Sequence, residues 1–96
     1  MILEIELKPV KSQSINVTVN SQQCNISVIE RNGLLTFSLK SNDKSIVENV
    51  LCFYANKLIR YSYLGFAGDF YFIDLEGHQD PIYSGLGGRF RLYYVY

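Results

Sequence analysis

Apolar and polar residues alternate with a period of two along most of the chain. In the first such segment, Leu3, Ile5 and Leu7 alternate with Glu4 and Glu6. This pattern is typical of a β-strand with one buried face and one solvated face. The same alternation predicts further strands over residues 15–19, 24–28, 35–39, 46–53, 58–63, 69–75 and 89–96.

Turn signals separate these predicted strands. Asn32-Gly33 is the strongest, because both residues tolerate the positive φ that a type I′ hairpin turn requires. Polar residues at 21–23 and 41–44 predict two more turns, and a loop of about ten residues precedes the last strand. No amphipathic helix longer than a turn or two is predicted. We therefore expect an all-β protein, a small antiparallel β-sandwich or partly open barrel of about seven to eight short strands, forming a single domain over residues 1–96.

Composition narrows the function classes. An apolar content of 48% and a charged content of 19% are typical of a globular chain. Nine basic and nine acidic residues cancel, so no overall field attracts nucleic acid or an anionic membrane. Cys24 and Cys52 lie in apolar strand-like runs, which predicts two free, buried thiols. No signal peptide and no membrane-spanning run are expected, and synthesis in a reducing cytoplasm follows.

The candidate catalytic and metal-binding residues are few. His78 lies near Asp80, but three groups in mutual geometry are needed for catalysis, and no nucleophile occupies a motif position. Asp74 and Glu76 share a strand face, yet two carboxylates are too few for calcium. The glycines at 85, 87 and 88 lack the Lys-Ser/Thr of a phosphate-binding loop. We therefore predict no enzyme, with no catalytic, cofactor-binding or metal-binding residues.

An alternative function is the binding of single-stranded nucleic acid, through basic residues that lie among aromatic ones. Small β-barrels bind single-stranded nucleic acid with stacked aromatic rings and a basic groove. The residues that would serve here are Arg60, Tyr61, Tyr63, Arg89, Phe90 and Arg91. The neutral net charge and an acidic stretch of Asp69, Asp74, Glu76 and Asp80 make nucleic acid the less favoured partner.

Aromatic residues favour a protein partner instead. The chain has six Phe and eight Tyr, and only Phe37 precedes position 53. The last predicted strand is apolar on both faces, whereas the core of a small domain covers only one face. Strand parity assigns Phe90, Leu92, Tyr94 and Tyr96 to the core, although a bulge at Gly87-Gly88 would exchange the faces. The predicted partner interface comprises Tyr83, Leu86, Arg89, Arg91, Tyr93 and Val95. The alternative is that these side chains complete a self-contained core.

The chain also resembles a known family. The motifs L-G-F-A-G-D-F (64–70) and D-P-I-Y-S-G-L-G-G-R (80–89), the closing aromatic strand, and the opening L-K-P-V-K-S-Q-S (7–14) are similar to those of small tail proteins of contractile-tailed phages and prophages. These proteins are baseplate plug or hub-associated components of about a hundred residues. The resemblance spans essentially the whole chain.

The resemblance implies a structural role. A compact β domain would lie at the tail axis in the baseplate, in contact with hub, tube and spike proteins. About three copies would meet these partners, since tail assemblies have rotational symmetry. The resemblance transfers no catalytic residues and no cofactor. It implies location in the virion tail, with assembly in the host cytoplasm.

Overall fold

The computed structural model describes residues 2–60 and 66–96, which form seven strands and one short 3₁₀ helix. The strands are β1 (Ile2–Ile5), β2 (Ser12–Val19), β3 (Gln22–Arg31), β4 (Leu34–Ser41), β5 (Lys44–Leu51), β6 (Asp69–Asp74) and β7 (Phe90–Val95), and the 3₁₀ helix is Tyr83–Gly85. The expected all-β class is confirmed.

The strands form two antiparallel sheets. One sheet has the order β1-β7-β6 and the other has the order β2-β3-β4-β5. Aromatic side chains meet between the sheets: the Phe37 ring lies 5.3 Å from the Phe70 ring, which lies 5.2 Å from the Tyr94 ring. All three residues are fully buried. The fold is therefore a small β-sandwich, one of the two architectures that the sequence predicts.

Tight turns connect the four strands of the larger sheet. Asn32 and Gly33 have φ values of 52° and 82°, as the predicted type I′ turn requires. The β2–β3 turn at Asn20-Ser21 and the β4–β5 turn at Asn42-Asp43 also have positive φ at both residues. The sequence predicted turns at these two places. It did not predict their positive φ values, because neither turn contains a glycine.

One predicted strand does not form as expected. Residues 58–60 of the predicted strand 58–63 are not in a strand, and residues 61–63 lie outside the described part of the chain. Leu58 and Ile59 are adjacent and both buried, which a strand with one solvated face does not allow. The Asp69 carboxylate accepts hydrogen bonds from the backbone N–H groups of Leu58, Ile59 and Arg60 at 2.8–3.0 Å. These bonds hold the segment against β6 in place of a strand ladder.

Burial in β7 follows the predicted parity up to its last position. Phe90, Leu92 and Tyr94 are buried, and Arg91, Tyr93 and Val95 are only partly covered. The two faces of β7 are therefore not exchanged by a bulge at Gly87-Gly88. Tyr96 was predicted to lie in the core, but this prediction is wrong: the residue follows the end of β7 and is 44% exposed.

Gly87 fixes the approach to β7. Its φ is +79°, and a Cβ atom at this position would collide with the backbone carbonyl oxygen of Leu7. The loop before β7 therefore packs directly on the chain that leaves β1. Close approach of two backbones, and not phosphate binding, accounts for this glycine.

We predict that Gly87→Ala destabilises the protein more than Gly33→Ala. Both residues have positive φ, which costs a side chain about 1–2 kcal/mol. Gly33 has no atom within 4 Å of its Cβ position, whereas Gly87 meets Leu7, and overpacking adds about 1–3 kcal/mol. Urea denaturation of both variants measures the difference. Equal losses in the two variants would show that the contact with Leu7 is unimportant.

Candidate interaction surface

The outer face of the three-stranded sheet carries a cluster of apolar side chains. Strand pairing places Val95 between Ile2 and Asp69, and it places Tyr93 opposite Tyr71 on β6. Five apolar or aromatic side chains line one shallow surface on this face. We call this surface the apolar patch, and it consists of Ile2, Tyr71, Ile73, Tyr93 and Val95. Ile2 is 65% exposed, and the other four residues are half-buried. Each strand of the sheet contributes at least one residue.

An ion pair borders the patch. The Arg91 guanidinium lies 3.1 Å from the Glu4 carboxylate, across the β1–β7 pair, and its Nε donates to the Gly88 carbonyl oxygen at 3.1 Å. Both side chains remain about one-third accessible. Arg91 is thus held beside the patch by its own chain. The arrangement of an apolar centre with a polar rim is typical of protein–protein interfaces.

Only three of the six predicted interface residues lie on one face of the structure. Arg91, Tyr93 and Val95 lie together on the outer face. Tyr83 is half-buried in the 3₁₀ helix, with the Lys11 ammonium 5.6 Å from its ring, and it does not line the apolar patch. Leu86 is only 2% exposed and belongs to the core, which contradicts its expected role as an accessible anchor. The predicted residues therefore do not form one continuous surface.

Arg89 has a structural role that the sequence prediction missed. Its Nε and Nη2 atoms donate to the two carboxylate oxygens of Asp74 at 2.7 and 2.8 Å. The side chain of Asp74 is completely inaccessible, and it also accepts the N–H groups of Glu76 and Gln79. The hydrogen bonds from Arg89 hold the pKa of Asp74 well below its ordinary value, and the two backbone donors act in the same direction against the effect of burial. Arg89 thus compensates the charge of one member of the acidic stretch.

The other candidate catalytic groups also have structural roles. An Asp80 carboxylate oxygen accepts the backbone N–H of Tyr54 at 2.8 Å, 26 residues away in sequence. The His78 ring packs edge-on against the Tyr54 ring, with centroids 5.1 Å apart. These contacts join the loop before the 3₁₀ helix to the segment that follows β5. Within the described residues, no three His, Cys, Asp or Glu side chains are close enough together to hold a metal ion.

The residues proposed for nucleic-acid stacking are not arranged as a stacking surface. Phe90 is 2% exposed, and Arg89 is engaged by Asp74. Arg60 donates through its Nε to the Lys57 carbonyl oxygen. Tyr61 and Tyr63 lie outside the described residues. The described members therefore leave no exposed aromatic ring between free basic groups.

Both cysteines are free and buried, as predicted. Burial raises the pKa of Cys52 to about 12, and it also raises the pKa of Cys24. Both thiols therefore stay protonated near neutral pH and act as small apolar core groups.

A family model described as cyanophage baseplate Pam3 plug gp18 matches residues 2–96. The chain belongs to this baseplate plug family. No curated protein matches. In the part of the chain that the structure describes, no helix is long and apolar enough to cross a membrane.

The motif residues that resemble this plug family mainly shape the fold. Within the opening motif, Gln13 exchanges two hydrogen bonds with the backbone of Lys8, at 3.0 and 2.7 Å. In the L-G-F-A-G-D-F motif, Asp69 binds the 58–60 backbone, and the Phe66 ring stacks on the Phe70 ring with centroids 5.7 Å apart. In the D-P-I-Y-S-G-L-G-G-R motif, Arg89 binds Asp74. The predicted interface contained Tyr93 and Val95 of the apolar patch, because it was drawn from the parity of the last strand alone, and it missed Ile2, Tyr71 and Ile73. Their outward parity on paired strands was the signal that could have found them.

We predict that Asp74→Asn destabilises the baseplate plug protein at pH 7 and that the difference from wild type narrows in acid. Because folding lowers the pKa of Asp74 below 3.8, the ion pair contributes fully above that value, and its contribution is lost as the pH falls toward the folded pKa. Urea midpoints at pH 7, 5 and 3 measure this trend.

Asp43→Asn is the matched control, because Asp43 lies exposed in the β4–β5 turn. Its midpoint should stay close to that of wild type at each pH. If the difference in urea midpoint between Asp74→Asn and wild type stays constant from pH 7 to pH 3, the proposed role of the ionised Asp74 is contradicted.

Proposed function

We propose that this protein is a structural plug at the axis of a contractile tail, where it contacts hub, tube and spike proteins of the baseplate. The observation that carries the proposal is the family match over residues 2–96, which shows the baseplate plug family. The mechanism is steric. The β domain closes or shapes the channel near the tail tip until contraction displaces it or opens the surrounding assembly.

The apolar patch supports docking against another protein. Its side chains are apolar or aromatic, and the Glu4–Arg91 ion pair lies at its border. Tyr residues contribute large contact areas at low conformational cost, and they are common at the centre of interfaces. The partner surface that fits would be apolar at its centre, with polar groups placed to meet Glu4 and Arg91.

Symmetry of the tail leads to the expected copy number. A ring of identical subunits about an axis gives every copy the same environment. We propose about three copies, each placing its apolar patch against the same surface of a hub or tube protein. The remaining outer surface of each copy would then face the channel or its neighbours.

The proposal predicts that Tyr93→Asp together with Ile73→Asp prevents incorporation into tails. Two carboxylates within the patch would have to lose their hydration in a docked complex, which costs at least about 2 kcal/mol for binding. Both side chains face outward, so the variant should keep the wild-type circular dichroism spectrum. A phage or prophage that lacks the gene is complemented in trans, and the protein is then measured in purified tails by quantitative mass spectrometry.

Lys40→Glu is the control, because Lys40 is exposed on β4 of the other sheet. This variant should enter tails as wild type does. Normal incorporation of the folded double variant would contradict docking through the apolar patch. Absence of the wild-type protein from purified tails would contradict the plug function itself.

A further inference from the structure

The edges of the two sheets are protected unequally. On β6, the Ala55 N–H donates to the Phe72 carbonyl oxygen at 2.8 Å, and the Leu58 N–H donates to the Phe70 carbonyl oxygen at 3.1 Å, so the 54–60 segment covers this edge. β1 is only four residues long and carries Glu4. Short length, charge and covering segments are common means of preventing unwanted pairing at an edge.

β5 is protected by charge and irregularity. It carries Lys44 and Glu48, and its pairing with β4 is interrupted by shifts of register. Asn49 has a φ of 53°, and its N–H donates to the Ser38 hydroxyl. A bulge of this kind bends the strand and discourages the addition of another strand.

β2 has none of these protections beyond its start, where the Gln13 side chain bonds to the backbone of Lys8. Its eight residues, Ser12–Val19, include no charged residue, no proline and no glycine. All eight pair with β3 in an unbroken register, and none has positive φ. β2 is also at the end of its sheet in the order of strands. It is therefore a long, regular and uncharged edge.

The hairpin geometry determines which backbone groups of β2 face outward. The two-residue turn at Asn20-Ser21 makes Val19 and Gln22 a hydrogen-bonded pair. The odd-numbered residues of β2 therefore bond to β3, and the even-numbered ones direct N–H and C=O away from it. Within residues 2–60 and 66–96, no hydrogen bond reaches the outward backbone groups of Ser14, Asn16 and Thr18.

We propose that β2 pairs antiparallel with β2 of a second copy about a twofold axis at Asn16, which joins the two four-stranded sheets into one. In this register Ser14 lies opposite Thr18 of the second copy, so outward-directed backbone groups meet each other. Ile15 lies opposite Val17 of the second copy on the core side, where both residues are only half-buried in the single chain. At the centre of the pairing, apolar residues therefore meet apolar ones and polar residues meet polar ones, while Gln13 lies opposite Val19 at each end, and no charges repel.

This pairing goes beyond the proposed function, because it uses the sheet opposite the apolar patch. It is a property of the purified protein and does not require a tail. The same strand is used on both sides of a twofold contact, so the assembly closes at two copies. A failure of the pairing would leave docking through the apolar patch unaffected.

The test begins with the mass of the purified protein in solution. Sedimentation equilibrium of the full chain should show a concentration-dependent species of twice the 11.0 kDa chain mass. Asn16→Pro should weaken dimerisation at least about tenfold, because proline removes an outward N–H that β3 does not use. Circular dichroism and urea denaturation check that this variant remains folded. Ser45→Lys on β5 is the control and should leave dimerisation unchanged.

Charge exchange tests the register. Ser14→Lys with Thr18→Lys and, separately, Ser14→Glu with Thr18→Glu should each give monomers, since like charges would lie opposite each other. An equal mixture of the two proteins should give heterodimers. A wild-type protein that is monomeric up to about 1 mM would overturn the proposal. It would also be overturned by full dimerisation of Asn16→Pro, or by a mixture that stays monomeric.

Discussion

The structure depends on β7, the central strand of the three-stranded sheet. It pairs with β1 on one side and β6 on the other, and it carries large side chains on both faces. Its inner residues Leu92 and Tyr94 are fully buried. A sandwich of two sheets has one interior, so the outer residues Tyr93 and Val95 cannot reach it. The apolar patch follows directly from a strand that is apolar on both sides.

Much of the aromatic surface is nevertheless absorbed within the chain. Phe66, Phe70 and Tyr94 form a contiguous cluster of rings, with centroids 5.2–5.9 Å apart. The Tyr94 hydroxyl donates to the Ala67 carbonyl oxygen, and the Gln22 side chain also bonds to the backbone of Ala67. These rings are therefore buried without a partner protein. On the outer face of the three-stranded sheet, two further rings, Tyr71 and Tyr93, remain half-buried within the apolar patch.

Alternation in the sequence was sufficient to predict the class of fold and most strands, because one face of each strand meets the core. It failed where burial has another cause. Leu58 and Ile59 are both buried in a non-strand segment whose backbone N–H groups bond to Asp69, and a pattern of period two cannot represent this arrangement. Leu86 is a similar case, since a loop residue has no parity from which its burial could be predicted. The Arg89–Asp74 pair joins the end of β6 to the residue before β7, 15 positions away, and the sequence does not give the register of these two strands.

The family was evident in the sequence, whereas the apolar patch was predicted only in part, and both results have the same physical reason. The quoted motifs contain residues that fix close backbone contacts and buried hydrogen bonds, as Asp69, Gly87 and Arg89 do. Such residues tolerate few replacements, so they make a pattern that can be recognised. Residues of the apolar patch need only be apolar and outward, and Ile2, Tyr71 and Ile73 form a surface only after the strands pair.

A cryo-EM reconstruction of the intact tail would test the central claim most directly, because it shows what lies against each sheet of the bound protein. We expect the outer face of the β1-β7-β6 sheet to be covered by another baseplate protein, with Tyr93 and Ile73 excluded from solvent. A reconstruction in which this face borders open solvent or the empty channel, while other surfaces hold the protein in place, would contradict the account.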